Sequence, residues 1–406
     1  MRVKKILLSA LLIMSVGLAA CAKKPEETKP ESTAQTQIQE SGTSEAGEAK
    51  ETKQESSQSA VSENEKKTRI IKDMNGNDVE VPEKIERVVV LSMYPLPSVI
   101  TTYLGSGSKV VGMEPFSYAA AESGLLGKLF PDILESNTSF IHGETPNVEE
   151  LIALEPDVVL YSAINDEQKQ MLENAGLTGI AVHAQQNDYN CIETYNDWFR
   201  LMAAMFPGEG PSEDKITAYS QKVYDEIQER VKDIKEEDRV RALHIFRYDD
   251  KTMVVSGQNF FGNFWINMAG GINVAAALDK KGPSPTDMEQ IYEWNPDLIY
   301  ITNFTSTMPE DLYNNAIGED DWSQVNAVKN KRVHKMPLGS YRTFTPGVDT
   351  PVTMLWVAKQ MYPEQFADID IAQEFKDYYK EFFNVELTDE DVNNILNPPR
   401  EAAGNW

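Results

Sequence analysis

PNVEELIALEPDVVLYS, residues 146–162, reads as a short helix, a Pro-Asp turn and a buried strand. Asn147 suits an N-cap, and Glu150, three residues on, completes a capping-box pattern. Leu151 and Leu154 give the helix an apolar stripe. Pro156 stops it, because proline cannot continue the hydrogen-bond ladder. Val158, Val159, Leu160 and Tyr161 are too few for a core helix and suit a strand covered on both faces. The pattern returns as TDMEQIYEWNPDLIYIT, residues 286–302. Glu149 falls on Glu289, Pro156 on Pro296 and Asp157 on Asp297, with apolar residues matching apolar ones between them. A helix–strand unit repeated in this way points to two similar α/β lobes.

The chain has 406 residues, room for two or three domains with sizeable cores. Its formal charge is -26, and its first 20 residues hold Arg2, Lys4 and Lys5 with no acid, so the remainder is more acidic still. Such a surface repels nucleic acid and anionic headgroups and speaks against a nucleic-acid partner. Taken alone, the charge does no more than keep a protein soluble. Cys21 and Cys191 lie far apart and form neither a metal-ligand spacing nor a disulfide framework.

Residues 1–20 read as a signal peptide: Lys4 and Lys5 precede an apolar run, Ile6 to Leu18, too short to span a bilayer comfortably. The run ends in Leu18-Ala19-Ala20-Cys21, which resembles the lipobox of bacterial lipoproteins. That resemblance implies cleavage before Cys21, a diacylglyceryl lipid on its thiol, and anchoring to the cell membrane from outside the cytoplasm. Residues 21–68 are rich in Glu, Ser, Thr, Gln and Lys and too poor in apolar side chains to fold. They make a tether with a reach of about 40 Å.

The head opens with Asn75-Gly76 between Ile70-Ile71 and Val79-Val81, a hairpin signal. Val88 to Leu91, Val110-Val111 and Gly179 to Val182 are further strands separated by helical patterns, which implies a parallel sheet in an N-terminal lobe, residues 69–211. LGSGS at 104–108 is no phosphate loop, since no Gly-Lys-Ser/Thr follows. A long helix is expected over 212–236, about 36 Å if it reaches Lys235, joining that lobe to a C-terminal lobe at 237–406 as a rigid strut. The closing segments are helical, with Thr388 as an N-cap.

Read in order, DMNGNDVEVPEKIERVVVLS, LGSGSKVVG, PNVEELIALEPDVVL, FFGNFWINMAGGINVA, MEQIYEWNPDLIY, DWSQVNAVKNKRVHKMP and WVAKQMYPEQF resemble the type III solute-binding proteins of ABC importers. That family takes up iron-siderophore, haem and cobalamin. The resemblance implies two Rossmann-like lobes with mostly parallel sheets, one long connecting α-helix, a ligand cleft between the lobes, and no catalysis. It also implies a docking role for Glu149 and Glu289 against arginines of a permease dimer, with Glu150 as a substitute for Glu149 in the first copy. The plain alternative is that both acids only complement a helix dipole, worth about 0.3–1 kcal/mol. The helix start is expected to carry Glu149 to the side opposite the ligand.

Open α/β sheets hold ligands at the carboxyl ends of their strands. In the first lobe these positions are Met93, Tyr94, Glu114, Phe116, His142 and Tyr161. In the second they are Arg247, Tyr248, Asn259, Phe261, Asn303, Tyr341, Arg342 and Phe344. Aromatic walls with a few polar groups suit a bulky ligand with a charged head, and an arginine grips carboxylate, catecholate or hydroxamate oxygens bidentately. The plain alternative is that the aromatics are core and the arginines pair with acids. His183, His244 and His334 fall inside strands, so no naked-metal site forms, while His142 remains able to complete a metal complex such as nickel with histidine. The expected ligand is a Fe(III) chelate, with cobalamin, haem or a nickel chelate as alternatives. A chelatase-like enzyme would need an acid–base pair, for which only His142 with Glu114 is available. The protein is expected to work as a monomer.

Overall fold

The computed structural model describes residues 67–143 and 145–403. The signal peptide, Cys21 and all but the last residues of the tether lie outside the described residues, and Thr68 is already in the first strand. The hairpin pairs Thr68–Lys72 with Asp78–Pro82. Its turn is held by Asp73, whose carboxylate accepts from the Asn75 and Asn77 amides, and by Gly76 at φ +80°.

Two sheets follow. The first is wholly parallel, in the order Val110–Met113, Val88–Val90, Val158–Ser162, Gly179–Val182. The second is mixed. Leu298–Ile301 lies parallel between Arg241–Tyr248 and the edge strand Val333–Lys335, and Met253–Ser256 and Pro283–Pro285 add antiparallel strands on the far side. The central strands are apolar on both faces, as helices on each side of a parallel sheet require.

The two copies of the repeated unit fold alike. Asn147 accepts from the Glu150 amide at the start of helix Val148–Ala153, and Asp287 accepts from the Gln290 amide at the start of helix Met288–Trp294. Leu151 and Ile291, the matching apolar positions, are fully buried. Glu155 and Asn295, also matching, are both left-handed, with φ of +45° and +41°, so the chain turns just before each proline. The capping box expected at Glu150 does not close: its carboxylate points to His142 at 3.3 Å instead.

Helix Glu213–Val231 links the halves and buries Ile216, Ser220, Val223, Ile227 and Val231 along one stripe. It ends four residues before Lys235: Ile234 still holds the stripe's next position, but its amide bonds the Val231 carbonyl in a tight turn that closes the helix. Tyr195 of helix Cys191–Met205 and Tyr378 of helix Ile371–Phe383 share a buried hydroxyl–hydroxyl bond of 2.7 Å. One apolar cluster runs from Val88 and Met93 through this region to Phe344 and Val392, so the two halves share a continuous core. Cys191 is fully buried at its helix start, and burial raises its thiol well above the usual range, which makes it inert. Among the described residues no helix is long and apolar enough to cross a membrane.

Candidate ligand-binding cleft

At the carboxyl ends of the second sheet's parallel strands, rings converge. Phe246 lies two residues from the end of the strand Arg241–Tyr248 and stacks on Phe304 at 5.1 Å. Phe344 lies 5.5 Å from Phe246 and 5.2 Å from Phe260. Tyr189, from the first half, closes the group edge-on against Phe261 at 5.2 Å. Rings at such separations attract by about 0.5–1.5 kcal/mol beyond the area they bury. Tyr189 follows Asn187 and Asp188, and all three have positive φ, so the chain is bent hard to deliver that ring across the divide.

Arg342 sits inside this wall with 1% of its surface exposed. Its guanidinium carbon lies 5.2 Å from the Phe304 ring centre and 5.5 Å from that of Tyr341. One Nη meets the Tyr341 hydroxyl at 3.4 Å, while Nε has no partner. Among the described residues Arg342 forms no ion pair, although the chain carries an excess of acids. A buried guanidinium without an acid costs stability, and an anionic group placed against it would offset that cost.

The loop that carries Arg342 is pinned from several sides. The Phe344 carbonyl accepts from Trp265 Nε1, and Thr343 donates to the Pro337 carbonyl. Buried Asp349 accepts from the Ser340 amide, the Ser340 hydroxyl and the Tyr379 hydroxyl at 2.6–2.9 Å. Gly339 is required beside it, since a Cβ there would lie 2.3 Å from the Asp349 carboxyl carbon. Asp349→Ala strands three buried donors and is expected to cost about 3 kcal/mol of stability by urea unfolding. A loss below about 1 kcal/mol would show that the loop is held by packing alone.

The first sheet contributes a polar counterpart. Ser92 follows the strand Val88–Val90 with φ +54°, an uncommon shape for a non-glycine residue. Its amide donates to Glu114 Oε1 at 3.0 Å, and its hydroxyl accepts from Gln168 Nε2 at 2.6 Å. Gln168 Oε1 is buried without a partner. Burial raises the Glu114 carboxyl above its ordinary range, while the Ser92 amide pulls the other way. Tyr94 and Phe116 meet edge-on at 5.9 Å beside this network. The end of helix Pro115–Ser123 approaches the Arg342 loop, with a Cβ on Gly124 falling 3.7 Å from the Gly339 carbonyl.

Other expected cleft residues are committed elsewhere. Tyr161 packs in the first sheet's own core, where its ring is 3.1 Å from any Cβ on Gly179. Tyr248 is buried between Asp320, which accepts from its hydroxyl, and Trp322. Arg247 pairs with Asp249 at 3.4 Å, half exposed. Asn259 donates to the Asp279 carbonyl, and Asn303 donates to the Met336 and Pro337 carbonyls. Met93 lies in the shared core.

His142 ends a two-residue strand, exposed and next to Glu150, and is not placed with Glu114. His183 falls one residue past its strand and bonds Asn75. Burial lowers His244 to about 3 and His334 to about 4, so both stay neutral. Among the described residues no group of three or more His, Cys, Asp or Glu stands close enough to hold a metal ion.

Sequence reading missed Ser92, Gln168, Tyr189 and Phe246. Only the first has a local cue: it ends a buried strand where a turn must begin.

Glu149 and Glu289 are exposed in the first turns of their helices. The other ends of those helices lie at the amino ends of the strands: Arg87 grips the Leu154 and Glu155 carbonyls, and Arg241 grips the Trp294 carbonyl. Each helix runs antiparallel to its sheet, so both glutamates lie toward the carboxyl ends, with the ring cluster. The expectation that Glu149 faces away from the ligand side is therefore reversed. A helix leading into a parallel strand must start at the sheet's carboxyl edge.

The same architecture occurs in solved structures. A periplasmic solute-binding protein of Veillonella parvula superposes with a TM-score of 0.72 at 28% identity, over 82% of this chain and 97% of that one. In sequence, the molybdate-binding protein MolA of Haemophilus influenzae is 26% identical over 78% of this chain and 91% of its own. YvrC of Bacillus subtilis, an uncharacterized ABC transporter substrate-binding lipoprotein, is 28% identical over 73% of this chain and 87% of its own. The family model for periplasmic binding proteins matches residues 91–338, well over half of the chain. The chain therefore belongs to that family of type III solute-binding proteins of ABC transporters, which bind solutes outside the cytoplasm and are not enzymes.

Proposed function

We propose that this protein is a membrane-tethered receptor that captures a ferric siderophore, or a related anionic metal chelate, and hands it to an ABC permease. One observation carries the ligand class: Arg342 is buried, has no ion pair among the described residues, and is walled by Phe304 and Tyr341, with Phe344 packed on Phe304. A guanidinium offers paired donors to carboxylate, catecholate or hydroxamate oxygens, and the rings suit the apolar arms of a chelate. Because the guanidinium is closed off in this shape, ligand entry requires the rings or the two halves to part. Cys21 would carry the lipid, and the residues between it and the first strand at Thr68 the tether.

A free oxyanion is a second reading, favoured by the similarity to a protein named for molybdate binding. The test is quenching of intrinsic tryptophan fluorescence by ferric hydroxamate, ferric catecholate, haem, cobalamin, nickel-histidine and molybdate. Saturable quenching by a ferric chelate is the expected result. Silence across the iron chelates sinks the lead reading, and a response to molybdate alone installs the second.

A further inference from the structure

Lys335 ends the edge strand Val333–Lys335 and is 7% exposed. Its ammonium donates to three backbone carbonyls of one loop: Thr302 at 2.8 Å, Thr305 at 2.6 Å and Thr307 at 2.8 Å. Burial lowers the Lys335 pKa to about 7, and in the protonated form every ammonium hydrogen is committed. The three carbonyls converge on one point, where their dipoles would repel without a cation among them, so the side chain fills the place a bound cation takes in a carbonyl cage. No acid pairs with Lys335 among the described residues.

The loop it gathers follows the strand Leu298–Ile301 at its carboxyl end. Between the gripped Thr302 and Thr305 sits Phe304, the ring that stacks on Phe246 and covers the Arg342 guanidinium. Other ties run from Thr302, Asn303, Thr305 and Thr307 to Phe246, Tyr248, Met336 and Pro337, the threonine hydroxyls of the loop bond one another and its amides, and Arg400 donates to the Ser306 carbonyl. None of these draws the Thr302, Thr305 and Thr307 carbonyls toward one point. That task falls to the ammonium.

We infer that Lys335 is a positioning residue of the ligand cleft, which fixes the Thr302–Thr307 loop in the shape that sets Phe304 against Arg342. The consequence for affinity rests on the reading of the Arg342 cluster as the ligand site; the clamp itself does not. A lysine amine in this position acts without touching ligand, so its removal should alter binding only through Phe304.

The test uses the whole protein and two readouts. Hydrogen exchange of ligand-free Lys335→Met, compared with wild type, should show lost protection confined to residues 302–308. Titration with a ferric trihydroxamate should then show Lys335→Met and Phe304→Ala each weakened about tenfold, and the double variant no weaker than the poorer single. Unchanged protection of the loop, or additive losses in the double variant, overturns the inference. If no chelate binds wild type, the exchange result decides the clamp by itself while the ligand reading fails. If Lys335→Met does not fold, wild type labelled with 15N-lysine decides. One side-chain ammonium signal must exchange slowly with water, and rapid exchange of all of them refutes the clamp.

Discussion

Arg342→Ala is expected to weaken binding of a ferric hydroxamate or catecholate by about a hundredfold or more, without a matching loss of fold. Each hydrogen bond to a charged group contributes about 1.5–3 kcal/mol, and a bidentate grip makes two of them. At about 1.4 kcal/mol for each tenfold in affinity, the loss exceeds two decades. Stability should move little, because two effects oppose. The variant loses ring–cation attraction to Phe304 and Tyr341, about 0.5–2 kcal/mol, and leaves space in a packed wall. It also removes a buried charge that has no acid to pair with, which relieves a desolvation penalty.

Arg342→Lys should recover only part of the affinity, since an ammonium keeps the charge but cannot present a planar fork. Fluorescence titration beside thermal denaturation separates these effects. Unaltered affinity in Arg342→Ala would remove the guanidinium from the ligand site. A loss of affinity that merely tracks unfolding would make it structural.

How far the sequence spoke depends on whether a feature is local. The duplicated unit at 146–162 and 286–302 was legible because caps, apolar stripe, left-handed turn and strand are all set within a few residues of one another. The same holds for the Asn75-Gly76 hairpin and for the Thr388 N-cap. Arg342 and Phe344 were named because they follow a short strand, Val333–Lys335, whose carboxyl end a parallel sheet turns toward its ligand side.

Tyr161 and Tyr248 obeyed the same rule and went elsewhere. A residue at a strand's end can point along the sheet or into a layer beside it, and only the neighbouring elements decide. Tyr248 found Asp320 and Trp322. Tyr189 shows the converse: it lies in no strand, and three successive positive φ angles deliver it to Phe261. Lys335 was equally hidden, because the three carbonyls it gathers carry no side-chain signature. The direction of Glu149 was misread for a different reason. Helix, turn and strand were each recognised, but the reversal that the turn imposes was not followed through: chain order, helix before parallel strand, places the helix start at the carboxyl edge.

That placement gives the docking proposal its strongest consequence. With Glu149 and Glu289 both at the carboxyl ends of their sheets, a partner that grips them faces the same end of the molecule as the Arg342 cluster. Two equivalent acids on two equivalent units match a permease built from two subunits. Glu149 is the better post of the first pair, since Glu150 is drawn toward His142. Glu149→Arg with Glu289→Arg is expected to reduce uptake of a labelled ferric chelate more than tenfold in cells, while affinity of the purified receptor stays within about twofold. Folding should be nearly unaffected, because each acid contributes only about 0.3–1 kcal/mol to its helix dipole. Glu155→Lys makes the control: it reverses a charge at the opposite end of the same helix, beside Arg87, and should leave uptake intact. If uptake survives the double reversal, the acids serve their helices alone. If ligand affinity falls with it, Glu149 and Glu289 belong to the cleft and not to the docking face.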